Sequence, residues 1–254
     1  TQAPGYISGS DIYLGNLTMD NFQDLYLING FMDAVNNSDQ PLTSVEFECG
    51  DGNYGCTYGG RYDPSAADFK ARMCIAQGNR MLNYYLFAGG TNYRLDPKPN
   101  DGNDRIAFTG ERHGFAAPVS PEGELDYVYP RLARSTKTIM AVSSKLSEMK
   151  EEHDNVAFAF MPDYYMTESH YPGSDKVTEI IKDIEKRRAS GAWEIMARAM
   201  LLSCYRFGSV DIQNRGIDPK SVPVLALASA RYMNGGVQQK IVDYLNDGGG
   251  ILLY

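Results

Sequence analysis

The residues best suited to chemistry stand at the end of a short apolar segment. Residues 42–47 read LTSVEF, the pattern of a buried strand, and they contain Glu46, with Glu48 just beyond. Burying an unpaired carboxylate is costly, so a strand that ends in two glutamates needs a physical reason. Either the strand has reached solvent and both are surface residues, or Glu46 is a catalytic group at the mouth of a barrel. Glu48 is expected in a loop or at the rim.

The elements around this segment alternate between strands and helices. Apolar periodicity predicts strands at 11–16, 42–47 and 82–90, with helices at 21–36 and 65–81 between them. This alternation is typical of βαβ units, and the almost continuous apolar run LNYYLFAGG suits a strand buried on both faces of a parallel sheet. Three βα units cannot close an eight-stranded barrel. The sequence therefore predicts either an open sheet or the last part of a barrel.

A second group of elements follows a predicted helix at 129–152. Strands and amphipathic helices alternate again from about residue 155, ending with VPVLALAS, a helix beginning at GGVQQ, and GILLY. This order predicts a small parallel α/β domain. The predicted domains are 1–152 and 153–254, the second of them truncated.

Composition narrows the class of protein. The chain has 254 residues and a net charge of −8, which disfavours nucleic-acid binding, and no apolar run has the length of a membrane span. No signal peptide is visible, and secreted, periplasmic and cytoplasmic locations all stay open. Cys49 and Cys56 bracket a loop and could be bridged or free. Their spacing is not a zinc spacing, so neither a metal nor a cofactor is expected.

Three blocks of the sequence resemble the family 35 glycoside hydrolases, the β-galactosidases. PLTSVEFECG is similar to the family's seventh barrel strand, LNYYLFAGGTNY to its eighth strand, and HGFAAPVSPEGEL to a block that follows. The blocks occur in the family's order and cover roughly residues 10–140. The resemblance implies the fold class α/β, with the last βα units of a (β/α)8 TIM barrel.

The resemblance also assigns roles to individual residues. Glu46 matches the catalytic nucleophile of a retaining enzyme, and Tyr85 matches a tyrosine whose hydroxyl can bond that carboxylate. Tyr85 could equally be a core residue. Asn92 belongs to the GGTN turn near the sugar, and Phe115 stands where the family has a sugar-contacting tyrosine, which weakens the expectation of galactose preference.

The same resemblance implies that one catalytic group is absent. The acid/base glutamate belongs to an Asn-Glu pair on the fourth barrel strand, and only 45 residues precede Glu46. We therefore expect a β-galactoside hydrolase represented by a fragment that is inactive alone, its partners being a carbohydrate and the missing N-terminal part of the barrel. Two alternatives are a non-catalytic sugar-binding or assembly module and an unrelated open-sheet protein.

The end of the chain resembles a different domain. Residues 222–254 are similar to the flavodoxin-like trimerisation domain of family 42 β-galactosidases. That resemblance implies a possible homo-oligomer. The net charge and the lack of a long apolar run predict no nucleic-acid or membrane partner.

Overall fold

A computed structural model describes residues 5–49, 63–91, 112–113, 117–170, 173–189 and 192–254. They form two compact units. The first comprises residues 1–21 and 41–151, and the second comprises residues 22–40 and 152–254.

The first unit contains a three-stranded parallel sheet in the order β1-β2-β3. Its strands are β1 (Ser10–Ile12), β2 (Leu42–Phe47) and β3 (Asn79–Tyr84). The predicted strand at 42–47 is confirmed to the residue, and all three predicted strands are neighbours in one sheet. Because the strands run parallel, the residues that follow each of them meet at one edge of the sheet.

Helix α2 (Ser65–Ala76) connects β2 to β3 and ends earlier than predicted. Gly78 has a φ of +101°, a conformation in which glycine commonly ends helices. Residues from Asn79 onward then pair with β2, so the predicted helix extension to 81 was wrong. The predicted strand at 82–90 is likewise displaced, because pairing with β2 begins at Asn79 and ends at Tyr84.

In the described part of the first unit, the remaining elements are short strands and helices. They are β4 (Gly90–Thr91), its antiparallel partner β5 (Arg112–His113), α3 (Tyr129–Ala141) and α4 (Ser143–Leu146). A small core joins α2 and α3 to the end of β2, through Cys49, Ala67, Val128 and Leu132.

The second unit is a four-stranded parallel sheet with helices. The strands are β6 (Val156–Phe160), β7 (Gly208–Asp211), β8 (Val224–Leu227) and β9 (Gly250–Leu253), in the order β7-β6-β8-β9. Numbered from β6, that order is 2-1-3-4, as in the first four strands of a flavodoxin-like sheet. The helices are α1 (Phe22–Val35), α5 (Asp175–Ala189), α6 (Ala192–Leu202) and α7 (Gly235–Asn246), with a short 3₁₀ helix at Pro162–Tyr165.

The core of the second unit lies around its central strand. Phe158 and Phe160 of β6 are fully buried, and Trp193 of α6 is 1% exposed. Trp193 thus packs in the core of this unit. Helix α1 also packs here, since the rings of Phe31 and Phe160 meet at 5.7 Å between centroids.

The predicted fold class is confirmed: the chain is α/β, with parallel strands of a partial barrel followed by a small parallel α/β unit. The domain bounds 1–152 and 153–254 stay a prediction, and α1 groups with the second unit although it follows β1 in the chain. Within the described part of the chain, no helix combines the length and hydropathy that crossing a membrane requires.

Candidate active site

The candidate site lies at the carboxyl edge of the β1-β2-β3 sheet. Glu46, the next-to-last residue of β2, is half-buried, and the hydroxyl of Tyr13 donates a hydrogen bond of 2.6 Å to its Oε2. Tyr13 directly follows β1, the parallel neighbour of β2. Glu46 is therefore not a free surface glutamate, because a tyrosine from the adjacent strand holds one of its oxygens.

The surroundings of Tyr13 keep its hydroxyl protonated, so that it acts as a hydrogen-bond donor. Burial, the hydrogen bond to Glu46 and the negative charge of Glu46 all raise the pKa of Tyr13 far above its usual range. The phenol consequently stays protonated at physiological pH and can donate to the carboxylate.

Asp11 brings a second carboxylate to the site. Its Cα is the register partner of the Glu46 Cα, beside a shift in pairing between Ser10 and Asp11. Burial raises the pKa of Asp11, and the charge of Glu46 raises it further. Two carboxylates side by side repel, and protonating one of them relieves the repulsion.

We expect Asp11→Asn to make the protein slightly more stable at neutral pH. A carboxyl group whose pKa is raised on folding costs stability once it is ionised, and that cost vanishes as the pH falls toward its ordinary value of 3.8. The urea midpoint of Asp11→Asn should exceed that of the parent at pH 7, and the difference should shrink toward pH 4.

The neighbouring charge provides the control for this experiment. In a Glu46→Gln background the benefit of Asp11→Asn should be smaller, because Glu46 is part of the cause of the raised pKa of Asp11. A lower midpoint for Asp11→Asn at pH 7 would show that Asp11 stabilises the fold instead.

Two further side chains come from Asn83 in β3 and from Tyr85, which directly follows that strand. The half-buried ring of Tyr85 meets the ring of Tyr13 edge-on, at 6.5 Å between centroids. Asn83 Nδ2 donates to the carbonyl oxygen of Val45 at 2.8 Å, which ties β3 to β2 next to Glu46. Glu46 and Tyr85 are thus brought to one site, and their catalytic and binding roles stay predictions. Asn92 and Phe115 lie outside the described residues.

Glu48 has a different environment from the one expected. It follows β2 in a loop, one of the two positions expected for it, but it is not a surface residue at the strand end, because it is fully buried. Its Oε1 accepts a hydrogen bond of 2.7 Å from Lys70 Nζ on α2, and Lys70 is also fully buried. The backbone N–H of Gly15 donates to the same oxygen. The ion partner from α2 is the physical reason that this carboxylate can leave water.

Cysteine and metal chemistry receive little support at this site. Cys49 is a buried free thiol, and burial raises its pKa to about 12, so it remains protonated and unreactive. Cys56 lies outside the described residues. Within the described ranges, no three His, Cys, Asp or Glu side chains are grouped as a metal ion would require.

Sequence reasoning missed two residues of the site, Tyr13 and Asp11. Both belong to the segment DIY, which was recognised only as a strand. Its place in a strand that alternates with helices could have indicated them, since side chains at the carboxyl ends of parallel strands collect at one edge.

Comparison of the sequence with known protein families gives a match within the second unit. The family "GLMA-like, second domain" matches residues 175–254. No curated protein sequence gives a significant match to the chain.

Solved structures resemble nearly the whole chain. The β-galactosidase from Bacillus circulans sp. alkalophilus aligns with a TM-score of 0.64 at 14% identity, covering 97% of this chain and 32% of that one. The β-galactosidase from the psychrophilic Marinomonas ef1 gives 0.57 at 11%, covering 97% and 36%. The exo-β-1,4-mannosidase Op5Man5 from Opitutaceae bacterium strain TAV5 gives 0.52 at 14%, covering 90% and 35%.

These likenesses concern the fold. The chain spans about a third of the length of these structures, at identities between 11% and 14%. They confirm the predicted β-galactosidase-like fold but do not support its assignment to family 35.

Proposed function

We propose that this chain provides the nucleophile of a retaining glycoside hydrolase, and that Glu46 is that nucleophile. The observation that supports the proposal most is the 2.6 Å hydrogen bond from Tyr13 to Glu46 at the carboxyl edge of the parallel sheet. In (β/α)8 barrels, catalytic groups collect at this edge. The hydrogen bond restrains the orientation of the Glu46 carboxylate.

The chemistry requires two carboxyl groups. Glu46 attacks the anomeric carbon while the glycosidic C–O bond breaks, and an acid about 5–5.5 Å away protonates the leaving oxygen. Water, deprotonated by that same group, then hydrolyses the glycosyl-enzyme ester and frees Glu46. The acid/base glutamate is expected on the fourth strand of the complete barrel, so the 254-residue chain alone is proposed to be inactive.

The proposed substrates are β-galactosides. The three sequence blocks that resemble family 35 support this choice, and two of the solved structures are named as β-galactosidases. The mannosidase among them makes β-mannosides the substrates to compare. A homo-oligomer assembled through the second unit remains part of the proposal.

Covalent trapping tests the assignment directly. 2,4-Dinitrophenyl 2-deoxy-2-fluoro-β-D-galactoside would be incubated with a polypeptide that also carries the rest of the barrel, and peptides would be mapped by mass spectrometry. The activated leaving group needs no acid catalyst, so trapping depends on the nucleophile alone. We expect one fluorogalactosyl group, attached to Glu46.

The control is Glu46→Gln, which should take up no label. A label on Glu48 or on another carboxylate would refute the assignment. Binding of a galactoside without any trapping would favour the alternative of a non-catalytic sugar-binding module. The corresponding 2-fluoro mannoside shows whether the site distinguishes the two sugars.

A further inference from the structure

A buried network ties the end of β1 to the end of β2. The backbone N–H of Glu48 donates to the carbonyl oxygen of Ile12 at 3.1 Å, which prolongs the pairing of the two strands. The side chain of Glu48 then accepts the N–H of Gly15. Ile12 and Gly15, which supply these two groups, lie on either side of Tyr13 in the chain. Glu48 therefore holds the backbone before and after the tyrosine that contacts Glu46.

Lys70 completes this network from α2. Its Nζ lies 2.7 Å from Glu48 Oε1 and 5.9 Å from the centre of the Phe47 ring. Gly15 adopts a φ of +58°, a left-handed conformation that glycine tolerates and that lets the chain turn at this point. The segment after β1 is therefore fixed by one buried ion pair.

A contribution to folding stability does not by itself explain the buried Glu48–Lys70 ion pair. The free energy lost by removing two charges from water is about as large as the free energy gained from their attraction. Well-packed apolar residues at the same positions often give equal stability. A buried pair does restrict geometry, because its atoms have few alternative partners. The geometry that it restricts here is the backbone on both sides of Tyr13.

We propose that Glu48 and Lys70 are positioning residues, which hold Tyr13 in hydrogen-bonding contact with Glu46 through the Gly15 N–H···Glu48 bond. The catalytic meaning of this inference rests on the proposed function, whereas the structural link from Glu48 to Tyr13 can be measured on the 254-residue chain itself.

Two double variants distinguish the effect of losing the hydrogen-bond acceptor from the effect of losing the two charges. Glu48→Leu/Lys70→Met replaces the ion pair by apolar side chains of similar size and removes the acceptor of the Gly15 N–H. Glu48→Gln/Lys70→Met removes both charges and keeps an oxygen for that N–H. Asp68→Asn is a matched control, because Asp68 is a buried acid on the same helix whose ion pairs, with Arg72 and Arg131, remain within α2 and α3.

Residue-resolved nitration by tetranitromethane reports on Tyr13. The reagent attacks the phenolate, so a tyrosine with a raised pKa reacts slowly. Releasing Tyr13 from Glu46 should increase its rate about tenfold for each unit by which its pKa falls. We expect this increase in Glu48→Leu/Lys70→Met, and rates near that of the parent in Glu48→Gln/Lys70→Met and Asp68→Asn. The exposed Tyr205 and Tyr254 serve as internal standards.

An unchanged Tyr13 rate in the folded Leu/Met variant would overturn the inference, and so would an equal increase in Asp68→Asn. Hydrogen exchange of the unaltered chain provides a second test that needs no variant. The Gly15 amide should exchange as slowly as the amides of β2, and exchange at the rate of the exposed Asn16 would refute the Gly15–Glu48 bond.

Failure of the inference and failure of the proposed function are distinguishable. If turnover of the complete barrel survives Glu46→Gln while Tyr13 nitration responds as expected, the nucleophile assignment alone is refuted. If Glu46→Gln abolishes turnover but the Leu/Met variant changes neither nitration nor kcat, the positioning role alone is refuted.

Discussion

Replacing Glu46 by glutamine is expected to lower kcat by about 10⁴- to 10⁶-fold, the scale on which hydrolases respond to loss of a nucleophile or its catalytic partner. The amide has nearly the size of the carboxylate and can still accept from Tyr13, but it cannot form the glycosyl ester. The measurement is steady-state hydrolysis of an aryl β-galactoside by a polypeptide containing the complete barrel. Turnover that is unaffected by Glu46→Gln would remove the assignment.

The matched control for this experiment is Glu124→Gln. Glu124 is an exposed glutamate of the same unit, and its replacement should leave kcat unchanged. A second variant, Glu46→Ala, identifies the role of the lost group. Azide entering the vacated space attacks from the side that Glu46 occupied, so the product should be the α-galactosyl azide. A β-azide would instead assign Glu46 as the acid/base group.

Lys70→Met is expected to lower the free energy of unfolding by about 3–5 kcal/mol, because it leaves the Glu48 carboxylate buried without its cation. The side chains of Lys70 and Glu48 are 0% and 1% exposed, so solvent does not replace the lost partner. Burial lowers the pKa of Lys70, and the neighbouring charge of Glu48 opposes that effect. Urea denaturation followed by circular dichroism measures the change.

The double variant Glu48→Gln/Lys70→Met serves as the comparison. It removes both charges together, and we expect it to recover most of the stability lost in Lys70→Met. Such non-additivity is the signature of a direct interaction between two residues. If the double variant is as unstable as Lys70→Met, the loss comes from packing around Lys70 and not from the unpaired charge.

The local pattern of apolar and turn residues was sufficient to predict those segments whose structure is decided by their neighbours in the sequence. The strand at Leu42–Phe47 was predicted to the residue, and the helix Phe22–Val35 was predicted within one residue at each end. Apolar periodicity and turn residues at the ends carry this information in the sequence itself. β7 was missed because the polar segment GSVD lacks a strand pattern and is held in the sheet by pairing with β6.

The candidate site likewise combines features that the local sequence indicates with contacts that form only in the tertiary structure. Glu46 was identified from its place at a strand end and from resemblance to a known motif, both of which are properties of the local sequence. Its contact with Tyr13 joins residues 33 positions apart, and the Lys70–Glu48 ion pair joins residues 22 positions apart. Nothing in either local segment specifies these pairings.

The sequence by itself determined the alternation of strands and helices, the α/β class and the position of Glu46 in its strand. The tertiary structure alone decided that Tyr13 contacts Glu46 and that Glu48 is buried. The physical reason is that hydrophobic periodicity is local, whereas hydrogen bonds and ion pairs between side chains form only after parallel pairing has set the register. A shift of one residue in that register would turn Glu46 to the opposite face of the sheet.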